Sequence, residues 1–235
     1  MAAESENLFP QIAVDHGVVP APADVALRSF AGDQSVLLQV GLVFVLIMVA
    51  VWTPNGPANA GAILAAALAT LWFTARGRYS VRELGLARPR SGTVPTLISG
   101  AVLVIAVVAI GWALNTLGVA HPIPWTRAWQ YAIWALVQEF ILQSFFYLRL
   151  ESLLGGRRAV WAAALLFAAT HIPSPLLTLL SFGGGLLFCE MFRRYRNIFP
   201  LGVIHAALGL TVAACFPDSL LHHMRVGVGY LLYRP

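Results

Sequence analysis

Ser35 to Thr53 reads SVLLQVGLVFVLIMVAVWT, nineteen consecutive residues without a formal charge. As a helix rising about 1.5 Å per residue this stretch is nearly as long as the roughly 30 Å hydrocarbon core of a bilayer is thick. It has no polar face to show to water, so it is a membrane span rather than one side of a soluble bundle. The same texture recurs along the chain. Of 235 residues, 59% are hydrophobic and only 11% charged, with a mean hydropathy of +0.76. A soluble domain carries about 25% charged residues, so an ordinary cytosolic fold is excluded.

Apolar blocks at about 35–53, 58–75, 95–118, 128–148, 158–172, 175–192 and 198–216 predict an all-α fold, a polytopic transmembrane helical bundle of about seven spans. Residues 1–34 are polar and acidic, interrupted by Pro10, Pro20 and Pro22, and are expected to form a disordered tail. They lack the basic start and immediate apolar core of a signal peptide. The bundle is expected over 35–216 with its catalytic core at 128–216, and 217–235 is too short to span and reads as an interfacial segment.

All fifteen cations are arginine. They lie between apolar blocks rather than in one patch, which speaks for topology anchors and against a nucleic-acid partner. Arg28, Arg76, Arg78, Arg82, Arg88, Arg90, Arg149, Arg157, Arg158, Arg193, Arg194 and Arg196 fall on one side of the predicted spans, and Arg127, Arg225 and Arg234 on the other. The positive-inside rule then predicts an integral membrane protein with a cytoplasmic N-terminus. Cys189 and Cys215 sit in apolar segments as small buried thiols, not as a disulfide framework.

Ionisable groups at mid-bilayer cost several kcal/mol unless partnered or wetted. Glu139, His171 and His205 are the three of interest. Counted from Arg149, Arg158 and Arg196, they lie about 15, 20 and 13.5 Å from the cytoplasmic boundary, at nearly one depth on three different spans. Glu139 and Gln143 share a helix face, with Gln138 beside them, so the span carries a broad polar stripe that suggests a hydrated cavity. Interhelical glue is the plainer reading of the glutamines. Glu190 is expected to pair with Arg193 and Arg194.

In order and spacing these residues resemble the CAAX protease and bacteriocin-processing family of intramembrane glutamic endopeptidases. The family pattern is two glutamates and an arginine on one span, then Phe-x-x-x-His, then His-x-x-x-Asn. Gln138, Glu139 and Gln143 occupy the first element, Phe167 and His171 match the second in full, and His205 matches the third with Gly209 in place of asparagine. Glu83 to Pro89 resembles a segment found upstream, and a myxosortase-like bacterial branch would suit the glutamines.

The resemblance implies proteolysis of a membrane-anchored protein or sorting-signal substrate in a bacterial inner membrane. Glu139 would be the base, His171 would share the water or carry its proton to the leaving amine, and His205 would donate to the oxyanion. Gln138, Gln143 and Phe167 would bind substrate or help the oxyanion. No cofactor is needed. A carboxylate and two imidazoles are also a zinc donor set, but no His-Glu-x-x-His helix is present, so no metal is expected. Because Gln138, Gln143 and Gly209 depart from the pattern, a catalytically inactive peptide-binding or adaptor protein is the alternative. The oligomeric state is not legible.

Overall fold

The computed structural model describes residues 22–87, 90–117 and 124–233. The chain divides into two units, Met1–Ser35 and Val36–Pro235. In the first, the described residues are the opening turns of α1; the second carries the rest of the fold. The predicted tail up to residue 21, Arg88 with Pro89, His121 and Arg234 lie outside the described residues.

All regular structure among the described residues is helical. The helices are α1 (Pro22–Trp52), α2 (Pro57–Arg76), α3 (Thr93–Ala113), α4 (Trp125–Glu139), α5 (Leu148–Leu154), α6 (Gly156–Ala169), α7 (Pro175–Tyr195), α8 (Phe199–Cys215), α9 (Asp218–Leu221) and α10 (Gly227–Leu231). Between α4 and α5 the chain stays helical but widens into a π-helix over Phe140–Tyr147. Prolines open α2, α7 and α8, in the first turn where a missing N–H costs nothing. Gly155, at φ +76°, separates α5 from α6.

The all-helical membrane class stands, with five or six candidate spans against the seven or so expected. Among the described residues five helices are long and apolar enough to cross: Gly32–Trp52, Pro57–Arg76, Thr93–Ala113, Trp125–Leu154 and Pro175–Tyr195. A sixth is reached only if α8 and the helical turn after it, bent by 120°, count as one. The block predicted as span five supplies only the 14 residues of α6, about 21 Å of helix against about 30 Å of hydrocarbon. A hydropathy block reports apolarity and not helix length, which is why it overcounts.

The outer helices leave most of their surface uncovered: only 11% of the span in α1 and 17% of those in α2 and α3 is buried. Leu64, Leu68, Trp72, Val102 and Ile105 point outward, as they do when lipid is the solvent. The Trp125–Leu154 helix is the opposite, with every residue from Leu142 to Leu150 buried. It is the element around which the others pack, and α8 lies against both it and α3. Gly202 lets α8 come close, since a Cβ there would stand 3.2 Å from the Leu136 Cα.

Candidate active site

Glu139 is the last residue of α4, immediately before the helix widens. The bond from the Leu148 N–H to the Gln143 carbonyl spans five residues. π-turns of this kind are rare and concentrate at functional sites. Ser144, inside the widened stretch, donates 2.8 Å to the Leu84 carbonyl, and the Ile198 N–H donates 3.2 Å to the Gly85 carbonyl. The Glu83–Leu86 turn is thereby tied to the central helix and to the start of α8.

Glu139 has no exposed surface. Its Oε1 accepts a 2.8 Å bond from Nδ1 of His205 on α8, and its Oε2 accepts a 3.1 Å bond from Nε2 of Gln143 one turn on. A carboxylate oxygen accepts, so His205 carries a proton on Nδ1 and keeps Nε2 for the cavity it lines. The imidazole is stacked on Phe188 of α7 with centroids 5.3 Å apart and planes 23° apart. Its position is thus fixed by three helices.

His171 follows α6. Its Nδ1 donates 2.9 Å to the Phe167 carbonyl, which can only accept, so the Nε2 lone pair is the one left over. Thr170 Oγ1 lies 3.2 Å from the same Nδ1 and spends its own proton on that carbonyl. The Phe167 ring stands edge-on to both imidazoles, with centroids 4.9 Å from His171 and 5.8 Å from His205. Phe167 therefore acts as the spacer that holds the two histidines on one wall.

That wall borders a cavity of about 270 Å³, lined by Gln138, His171 and His205 together with Tyr131, Ser181 and Gly209 among others. Since water takes about 30 Å³ in the liquid, the cavity has room for a peptide group and a water. A second hollow of about 290 Å³ is lined almost wholly by apolar residues and shares Trp134, Gln138, Phe167 and Thr170 with the first. Met224 and Val226 of the C-terminal segment close part of the first cavity.

Of the residues expected at the site, Gln138, Phe167, His171 and His205 line the cavity, whereas Glu139 and Gln143 line neither hollow. Both are sealed behind His205, and Gln143 Oε1 has no hydrogen-bond partner. Among the described residues no three His, Cys, Asp or Glu side chains converge as metal ligands. Sequence reasoning passed over Tyr131, because a tyrosine near a predicted span end is the ordinary anchor for a headgroup layer.

One other charge departs from expectation. Arg149, read as a boundary anchor, is 1% exposed. Its Nε donates 3.1 Å to Gln39 Oε1, its Nη1 donates 3.2 Å to the Phe145 carbonyl, and its plane lies 4.0 Å from the Phe145 ring centroid. Glu151 is held by Arg196, 2.5 Å away at the end of α7, and by the Tyr147 hydroxyl one turn earlier at 2.9 Å. Glu190 pairs with Arg193 at 2.8 Å and Arg194 at 2.6 Å.

No curated protein and no solved structure matches the chain. The comparison with protein families does find one: residues 120–211, about two-fifths of the chain, match the family described as type II CAAX prenyl endopeptidase, Rce1-like. The matched stretch contains Gln138, Glu139, Phe167, His171, His205 and Gly209 and stops short of the C-terminal segment. No feature of the match singles out a myxosortase branch. Over those residues the chain is similar to a family of endopeptidases, and the paired Glu139 and His205 lie within the similar part.

Proposed function

We propose that the chain is an intramembrane endopeptidase that hydrolyses a membrane-anchored protein, working in a bacterial inner membrane with its N-terminus in the cytoplasm. The observation that carries the reading is the 2.8 Å bond from His205 to a carboxylate with no exposed surface, beside a cavity that His171 also lines. Buried carboxylates are expensive, and one held against a cavity-lining imidazole positions that imidazole as a carboxylate does in other hydrolases.

The division of work proposed here differs from the one the resemblance implies. Both oxygens of Glu139 are engaged, so Glu139 is the positioning residue. His171 Nε2, with its other nitrogen tied to a carbonyl, takes the proton of the attacking water and returns it to the leaving amine. His205 donates from Nε2 to the oxyanion, and the Glu139 carboxylate balances the positive charge the ring carries when it donates from both nitrogens. Gln138, which accepts no proton from water, binds the substrate amide at the mouth shared by the two hollows. No cofactor enters the scheme.

The protein reconstituted in liposomes, with two internally quenched peptide reporters, tests the proposal. One reporter is farnesylated near its C-terminus, because the matched family is named for that substrate; the other is palmitoylated. Cleavage of either is expected. Glu139→Gln should lower the rate by about 10⁴-fold, the scale seen when a triad carboxylate is neutralised. Full processing by that variant would remove the assignment. If the unaltered chain binds both reporters and cuts neither, a silent peptide-binding protein replaces the protease.

A further inference from the structure

We infer that Tyr131 is a catalytic residue of this site, donating from its phenol to the oxygen that becomes the oxyanion; the inference rests on the endopeptidase reading above. Three observations support it. Tyr131 lies on α4 seven residues before Gln138, two helical turns along one face, and both residues line the cavity with the histidines. Its hydroxyl abuts the backbone of α8 at Gly209: a Cβ at that position would collide with the hydroxyl and with the ring carbons next to it. The glycine is what admits the phenol. Finally, the hydroxyl has no hydrogen-bond partner among the described residues, yet it is not among their sealed, unpaired polar atoms. It is free to donate into the cavity.

The placement relative to His205 makes this a donor pair. Gly209 and His205 are four residues apart on α8, one turn and about 6 Å along the axis. In the proposed arrangement a carbonyl oxygen seated in the cavity accepts from both His205 Nε2 and the Tyr131 hydroxyl, since both residues line it. The alternatives are weaker: the Thr170 hydroxyl is spent on the Phe167 carbonyl, and the neutral amide of Gln138 and the aliphatic hydroxyl of Ser181 are less acidic donors than a phenol. In the step, water oxygen bonds to the carbonyl carbon as one of its protons passes to His171 Nε2. The carbonyl π pair moves onto oxygen, where His205 and Tyr131 hold it. When that pair returns, the carbon–nitrogen bond breaks, and the nitrogen leaves with the bonding pair and takes the proton from His171. Tyr131 keeps its own proton throughout.

The test uses the full chain in liposomes with the farnesylated and palmitoylated reporters. Tyr131→Phe should lower kcat about 100-fold or more, the cost of one oxyanion donor. KM should stay within twofold and the melting temperature unchanged, since the hydroxyl bonds no protein group. Gly209→Ala, which expels the phenol, should lose a similar factor, and the double variant should be no worse than Tyr131→Phe alone. As a check that does not depend on deleting the group, 3,5-difluorotyrosine at position 131 should shift the alkaline limb of the kcat profile to lower pH, because a more acidic phenol loses its proton, and with it its donor, earlier. A Tyr131→Phe enzyme within threefold of the parent in kcat, while Glu139→Gln is inactive, overturns this inference and leaves the protease standing. So does a loss confined to KM, or a fluorotyrosine enzyme with an unshifted profile. No cleavage by the unaltered chain overturns both.

Discussion

Replacing His205 with leucine is the perturbation with the largest consequence for folding. The imidazole is the partner of a carboxylate with no exposed surface, bonded at 2.8 Å. Removing it leaves Glu139 with the Gln143 amide alone, and stripping one partner from a buried pair costs about 3–5 kcal/mol. Losing the stack on Phe188 accounts for only about 0.5–1.5 kcal/mol of that. Glu139→Gln should behave differently. The new amide presents N–H toward Gln143 Nε2, but Gln143 has an unpaired Oε1, so turning its amide over restores the bond at a cost of roughly 0.5–1.5 kcal/mol. The double variant should then be more stable than His205→Leu by about 2 kcal/mol or more, because no charge is left stranded. Reversible unfolding in mixed micelles of dodecyl maltoside and dodecyl sulfate, followed by far-ultraviolet circular dichroism, measures all three. If His205→Leu costs less than about 1.5 kcal/mol, the lost stack explains it, and the pair is not what holds α4 to α8.

Gly202→Val should push α8 off α4, since the Cβ alone would stand 2.8 Å from Leu136 Cδ1 and 3.2 Å from its Cα; overpacking of this kind costs about 1–3 kcal/mol, and a variant melting with the parent contradicts the close approach. Arg149→Met should be neutral or stabilising, because the guanidinium is buried against uncharged partners and Nη2 has none while methionine fills the same space; a loss above about 3 kcal/mol would show that the charge is needed. The turn at Ser80 should depend on pH. Glu83 accepts 2.7 Å and 2.8 Å bonds from the Ser80 hydroxyl and N–H, and these hold its carboxyl below the ordinary range. A lowered folded value means the stabilisation is complete above the ordinary carboxylate range and is lost as pH falls through the folded value. Exchange protection of the residue-80 amide should therefore drop on acidification, and Ser80→Ala, which removes the hydroxyl bond and keeps the N–H bond, should move the drop to higher pH and reduce it.

The membrane class was legible because nineteen uncharged residues in a row leave few other structures open, and repetition removed the rest. What hydropathy could not supply was where helices stop. Ala159, Ala163 and Ala164 make α6 apolar without making it long, and they are buried against protein rather than facing lipid. Depth counting brought Glu139 and His205 to the same level, and they bond directly, although one end of the ruler was misplaced. Arg149 was taken as the water boundary, yet it lies inside the protein, where Gln39, a carbonyl and an aromatic face do the work of solvent. The π-helix over Phe140–Tyr147 left no trace in the sequence, because a Glu139–Gln143 contact is expected of an α-helix too. The position of Tyr131 was equally hidden, because a glycine four residues after a histidine says nothing of what fills its empty side.

The three departures from the family pattern make chemical sense together. Arginine at the third position of the first element would neutralise the span's carboxylate from one turn away; with Gln143 there, Glu139 has an amide on one oxygen and depends on His205 for the other. That dependence fixes His205 with its Nδ1 toward the carboxylate and leaves its Nε2 for the cavity; in the proposed scheme the ring donates from Nε2 only in its doubly protonated form, beside the Glu139 carboxylate. Gln138 lines the cavity without a carboxylate, and in the proposed scheme His171 takes the proton on that wall. Gly209 removes a side-chain amide from α8 and admits a phenol from α4 into the same space. On the proposed reading the substitutions trade one donor set for another, and the test of it is whether Tyr131→Phe and Glu139→Gln lose cleavage while the parent keeps it.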